Sequence, residues 1–269
     1  MLQAVILFLL ASIITYIFQD MVKKMLINAG QVTSNFKGQK IAGVMGIAIV
    51  LGAVATAVLS VLFTFTLSAN TLYIAFACSL MGFIGAIDDF LGNDASKGFK
   101  GHILNLAKGN LTTGGLKIIA GGIIAFAIAL QVSPTFWDIL LNILLIGLVT
   151  NFINLLDTRP GRAIKGFILV TILTLLLGNI PPIHYIVLGT LAVYLPVDLK
   201  AQGMLGDTGA NFIGMALGIS IVIAVQNTIA RLIIMMLMLG LNVLSEKYSF
   251  SKIIERNRVL RFVDDLGRK

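Results

Sequence analysis

The chain has 269 residues, 58% of them hydrophobic and only 12% charged, with a formal net charge of +8. A mean hydropathy of +0.98 is far from that of a soluble domain, so most of the chain belongs in a bilayer. The single Cys78 sits inside an apolar run, which excludes a disulfide framework and a cysteine metal cluster.

Residues 2–19 lack a basic leader and a small-residue cleavage site, so they read as a retained span. Eight more apolar stretches follow, at 41–67, 71–87, 114–132, 136–156, 164–180, 183–197, 209–229 and 231–245. Each is near the ~20 residues that cross a bilayer core. Pro181-Pro182 and Pro196 mark turns or breaks. The pattern predicts an all-α, polytopic membrane bundle of about nine transmembrane helices over residues 1–245. A basic tail, 246–269, follows, and no internal repeat divides the spanning part.

Threaded this way, all but one of the 20 Lys/Arg and all but one of the 12 Asp/Glu fall on one face. The exceptions are Arg231 and Asp138. Short basic loops stay in the cytoplasm, which puts the N-terminus outside and the C-terminus inside a plasma membrane. That rule accounts for the cations. It does not account for the acids, which contribute little to orientation.

Four segments of this face carry the suggestive residues, in chain order. "NFKGQKIAGVMG" (Asn35–Gly46) brings Lys37 and Lys40 to a glycine-rich start of the second span. "MGFIGAIDDFLGNDASKGFKGH" (Met81–His102) ends the third span on adjacent Asp88 and Asp89, with Lys97, Lys108 and Lys117 downstream. In "NFINLLDTRPGRAIKG" (Asn151–Gly166), Asn151, Asn154 and Asp157 are spaced by three and lie near one helix face. In "GMLGDTGANFIGMALG" (Gly203–Gly218), Asp207 occupies a Gly-Asp-Thr-Gly turn before a span, where phosphates are readily held. Taken singly, these read as a helix cap, interhelical hydrogen bonds and a capped turn. Taken together, four carboxylates among lysines suit Mg²⁺, a hard cation that binds carboxylates and substrate phosphates. Lysines suit the phosphate oxygens. A transporter would instead place its charges near mid-membrane.

In these motifs the chain resembles the polyprenyl-phosphate N-acetylhexosamine-1-phosphate transferases, which include phospho-MurNAc-pentapeptide translocase. "IDDFLG", "NFINLLD" and "MLGDTGANFIG" occur in the family's order and at its topological places. The resemblance implies an enzyme that moves a sugar-1-phosphate from a UDP-sugar to a membrane polyprenyl phosphate, with Mg²⁺ and release of UMP, in cell-envelope glycan synthesis. It implies Asp207 as the leading Mg²⁺ ligand, with Asp88 and Asp89 beside it and one of them activating the polyprenyl phosphate. Asn151, Asn154 and Asp157 would face the nucleotide-sugar, and Lys40, Lys97 and Lys117 would neutralise phosphates. Two departures stand out. Thr158 and Pro160 replace a glycine and an aspartate of the third motif, and the last loop has no histidine, leaving Arg256 and Arg258 as phosphate ligands. A catalytically lapsed relative that binds lipid phosphate or a membrane partner is the alternative. The reading admits a homodimer and calls for no nucleic acid.

In the tail, Ile253, Ile254, Leu260, Val263 and Leu266 lie among basic residues. They fit an interfacial amphipathic helix on anionic lipid and a short solvated tail equally well. His102 and His184, the only histidines, carry little weight.

Overall fold

The computed structural model describes residues 2–62, 68–92 and 98–268, without the side chains of 98–100, 102 and 103. Its elements run α1 (Leu2–Asn28), β1 (Val32–Ser34), β2 (Lys40–Ala42), α2 (Gly46–Leu62), α3 (Ala69–Leu91) and α4 (Gly98–Ala107). Then come α5 (Thr113–Val132), α6 (Phe136–Leu156), α7 (Arg162–Leu175), α8 (Pro182–Leu199), α9 (Gly206–Ala224) and α10 (Thr228–Lys247). Two short helices, α11 (Phe250–Arg256) and α12 (Arg258–Asp265), close the chain.

Among the described residues, seven helices (α1, α3, α5, α6, α8, α9 and α10) are long and apolar enough to cross a membrane. The chain is a multi-pass helical membrane protein by length and composition. α2 is apolar but shorter, and α7 begins on Arg162 and Lys165. Pro196 falls inside α8, where it has no N–H to return to the Ala192 carbonyl, and the helix runs on only to Leu199.

The bundle is built around α9. Its apolar window is 89% buried, against 17% for α10 on the periphery. Small residues in α9 (Gly209, Ala210, Gly214, Ala216 and Gly218) let neighbouring backbones come close, the usual basis of helix packing where lipid offers no hydrophobic drive. α3 and α6 make the most extensive contacts with it, while α1 lies against α2 and α8. His184 is enclosed among α7, α8 and α9, stacked on Phe167 and 2.8 Å from both Thr171 Oγ1 and Ser220 Oγ.

Between α1 and α2 the chain forms a small hairpin, β1 against β2, so the residues expected to open the second span at 41 pair as a strand and the helix begins only at Gly46. Asn35 Oδ1 makes its turn by accepting from Lys37 and Gln39 N–H at 3.0 Å each. Ala42 O accepts from Met204 N–H, while Met204 O and Leu205 O accept from Met45 and Gly46 N–H, all at 2.8–2.9 Å. The hairpin thus fixes the loop that leads into α9.

Asp138 and Arg231, the two exceptional charges, are paired with each other. Arg231 Nη2 donates to Asp138 Oδ1 at 2.6 Å and Nη1 to Asn142 Oδ1 at 2.8 Å, joining α10 to α6. Thr135 and Thr228 hydroxyls complete the Asp138 shell. Both charged residues are buried, at 6% and 4% exposure, so removing one would strand the other in an apolar setting. Breaking such a pair typically costs about 3–5 kcal/mol, whereas removing both partners costs much less. Arg231→Leu and Asp138→Asn should therefore each lower unfolding stability in detergent by an amount of that order. The double variant should lose much less than the sum, as a double-mutant cycle of denaturation midpoints will read.

Candidate functional site

Asp88 and Asp89 occupy the last turn of α3, where successive side chains diverge by about 100°. They consequently serve different neighbours. Asp89 turns to α9. Its Oδ1 accepts from Asp207 N–H at 2.9 Å, and its Oδ2 accepts from Thr208 N–H at 2.8 Å and from Thr208 Oγ1 at 2.6 Å. A helix start leaves N–H groups without intrahelical partners and carries partial positive charge. Leu205, at the cap position of α9, has no side-chain acceptor, so Asp89 supplies the cap from another helix. Two glycines make room for this. A Cβ on Gly85 would run into the Asp207 carbonyl, and Gly206 adopts φ +72° with its Cβ position 2.9 Å from Asp89 Oδ2.

Asp88 turns the other way, to an ion pair with Lys117 in the first turns of α5. Lys117 Nζ is also 3.2 Å from Asp207 Oδ2, so one ammonium bridges the two carboxylates. The Asp88 and Asp207 carboxyls lie within hydrogen-bonding reach of each other. Asn154, near the end of α6, donates through Nδ2 to Asp207 Oδ1 and, at 3.2 Å, to Asn211 Oδ1. Solvent still reaches the cluster, since the side chains of Asp88, Lys117 and Asp207 are 16%, 19% and 29% exposed.

Asp157 caps the C-terminus of α6 beside this group. Burial, and then the carboxylates of Asp198, Asp207 and Asp89, hold its carboxyl well above the usual range, against a hydrogen bond from Gly206 N–H. Asp198, buried at 4% exposure near the end of α8, accepts from Gly161 N–H at 2.9 Å and steadies the turn that follows Asp157.

Of the residues anticipated from sequence, Asp88, Asp89, Asp157, Asp207, Lys117 and Asn154 therefore meet at one end of the bundle. The others are placed elsewhere. Asn151 points to α10, where its Nδ2 donates to Asn242 Oδ1 at 2.6 Å. Lys40 begins β2 on an exposed surface, and Arg256 and Arg258 are exposed at the junction of α11 and α12. Lys97 lies outside the described residues. Sequence reasoning missed Asp198 and Asn211. Asn211 is buried at 3% exposure, and its Nδ2 has no partner among the described residues. It lies four positions after Asp207, on the same side of α9. Starting that span at 209 hid the relation, because the helix begins at Gly206.

A clasp lies next to the cluster. Arg162 is buried and grips Asp264 of the tail with Nε at 2.8 Å and Nη2 at 2.9 Å. Its Nη1 donates to Thr158 Oγ1 and Ser251 Oγ. Burial pushes the Asp264 carboxyl up, but Arg162 and Arg268 prevail and hold it at about 2.

Among the described residues no three Asp, Glu, His or Cys side chains converge as a ready metal site. Asp88 and Asp207 are nevertheless two adjacent hard-oxygen ligands already sharing a cation, and Mg²⁺ is commonly held by only one or two carboxylates plus water and phosphate. The donor chemistry fits Mg²⁺. Asp89, with both oxygens taken by α9, stands behind that pair.

Compared with known proteins, the chain matches no family model, and no curated protein matches it significantly.

The raised carboxyl of Asp157 makes a pH prediction. An acid whose folded value exceeds its unfolded one binds more protons when folded, so its ionisation erodes stability as pH rises above 3.8. Asp157→Asn keeps an acceptor for Gly206 N–H and removes the ionisation. The variant should melt higher than the parent at neutral pH, and the gain should fade as pH falls toward 3.8. Equal melting curves at all pH values would remove the argument.

Proposed function

We propose that this protein is a sugar-1-phosphate transferase of the polyprenyl-phosphate N-acetylhexosamine-1-phosphate transferase family. It transfers the sugar-1-phosphate of a UDP-sugar to a membrane polyprenyl phosphate and releases UMP, in cell-envelope glycan synthesis. The observation that carries the reading is the meeting of Asp88, Lys117, Asn154, Asp157 and Asp207, from four separate sequence segments, in one solvent-reachable cluster. On this reading α2 and α7 also cross, giving nine spans, with the N-terminus outside, the C-terminus inside and the cluster at the cytoplasmic face of the plasma membrane.

The chemistry asks for little covalent help. A phosphate oxygen of the polyprenyl phosphate attacks the sugar-bearing phosphorus, the bond to the UMP oxygen breaks, and positioning with charge stabilisation does most of the work. Asp88 and Asp207 would hold Mg²⁺, which, when bound, polarises the diphosphate and neutralises the departing UMP. Lys117 offers its ammonium to phosphate oxygens as the carboxylates take up the other cation. Asp88, the member of the α3 pair not committed to the start of α9, would help to position the incoming lipid phosphate through the shared cation, and that phosphate attacks as its anion. The amide of Asn154 would orient the nucleotide-sugar, with Asn211 supporting it from behind through its Oδ1. Asp89 and Asp198 act by position, fixing the start of α9 and the turn after Asp157.

A second reading is favoured by one observation. With Lys117 bridging Asp88 and Asp207, and Asp89 capping α9, the carboxylates are satisfied without a metal, which suits a lapsed relative that only binds lipid phosphate. Purified protein in nanodiscs with polyprenyl phosphate, Mg²⁺ and a panel of UDP-sugars separates the two. Transfer predicts UMP release that chelation abolishes and that Asp207→Asn and Asp88→Asn each lower by about 100-fold or more. Binding of polyprenyl phosphate without UMP release from any sugar supports the second reading. Neither release nor binding overturns both.

A further inference from the structure

The clasp holds the C-terminal segment by its charges and leaves an apolar stripe uncovered. Asn257 caps α12, accepting from Val259 and Leu260 N–H at 3.0 and 3.1 Å. Val259, Phe262, Val263 and Leu266 then follow at i, i+3, i+4 and i+7 on one side, 71%, 70%, 46% and 60% exposed. Asp264 leaves from a different side, into Arg162 and Arg268. Arg258, Arg261 and Asp265 make up the charged remainder.

Lys165 determines where this stripe lies. Its Nζ donates to the carbonyls of Val263 and Asp264 at 3.0 and 2.6 Å. On α7, Lys165 shares a side with Leu169, Ile172 and Leu176, at i+4, i+7 and i+11, which are 57%, 53% and 78% exposed. α12 is therefore suspended at the end of the uncovered apolar side of α7, where that helix, as a span in the proposed topology, would meet water. Around it Lys252, Arg256, Arg258 and Arg261 are exposed, and the exposed Arg261–Asp265 contact at 3.6 Å is too weak to occupy its guanidinium. An eight-residue helix does not persist alone in water, and one side docked by charge leaves its apolar side without a partner.

We propose that α12 is an interfacial helix that seats its Val259–Phe262–Leu266 stripe in the headgroup layer, with the flanking cations taking anionic phospholipid headgroups. The stripe supplies apolar burial and is continuous with the lipid-facing side of α7. The cations supply the preference for negative charge, as basic segments beside a membrane do.

Tryptophan fluorescence in vesicles tests this without substrate or turnover, so its failure is separate from any failure of the transferase reading. Trp137 is the chain's one tryptophan, so the probes F262W and D265W are built on W137F. In phosphatidylglycerol vesicles, brominated acyl chains should quench the F262W emission and aqueous acrylamide should scarcely reach it, with the reverse for D265W. Replacing phosphatidylglycerol with phosphatidylcholine, raising the salt, or adding K252Q/R256Q/R258Q should each weaken the bromolipid quenching. Free access of acrylamide to F262W at every lipid composition, with no bromolipid quenching, would overturn the proposal and leave the stripe to a protein partner. Equal quenching in neutral and anionic vesicles would also overturn it, because the headgroup charge would then play no part.

Discussion

The carboxylate of Asp89 on the first N–H groups of α9 is the contact on which the rest of the site depends. α9 is the buried axis of the bundle, and a helix start buried without acceptors for its N–H groups is costly. Leu205 offers no acceptor, so α3 must end beside α9 with a carboxylate turned inward. That fixes the depth of α3 and explains why Gly85 and Gly206 lack side chains. It also decides the direction of the next residue back. With Asp89 committed to α9, Asp88 projects toward α5 and meets Lys117, while Asp207 at the capped terminus faces Asn154 of α6.

The two ends of the bundle treat charge differently, and burial explains why. At one end Asp138 and Arg231 neutralise each other inside a shell of hydroxyls and an amide, and neither is available to a ligand. At the other, Lys117 bridges Asp88 and Asp207 while Asp89 caps α9 behind them and Asp157 lies beside them, so the carboxylates outnumber the one ammonium. Burial first, and then the neighbouring carboxylates, raise the carboxyl of Asp157. Such an arrangement is the kind that a bound cation relieves.

Much of this was legible in the sequence because membrane helices write plainly. Long apolar runs located the helices, and polar residues at their ends stood out against them. The clustering of Asp88, Asp157 and Asp207 followed from seeing them on one face. Finer geometry was not legible. Adjacent Asp88 and Asp89 looked interchangeable, and only the meeting of α3 with α9 separates a cap from a site-facing acid. Asn151 and Asn154, three apart, looked like one face, yet α10 draws the first away through Asn242. Asp198 reads as one more acid in a loop until the turn at Gly161 is seen to hang from it. The short tail gave no sign that Asp264 would reach back to Arg162 across the intervening chain.

If the protein is the transferase proposed, Asp88 and Asp207 share a place for a divalent cation, bridged in this structure by Lys117. Electron paramagnetic resonance of Mn²⁺, which prefers the same oxygen ligands as Mg²⁺, tests it directly on protein in nanodiscs. The account predicts a bound-ion signal that strengthens with a UDP-sugar and disappears in Asp207→Asn, while Lys117→Met binds the ion more tightly. A bound-ion signal unchanged by both substitutions would contradict it.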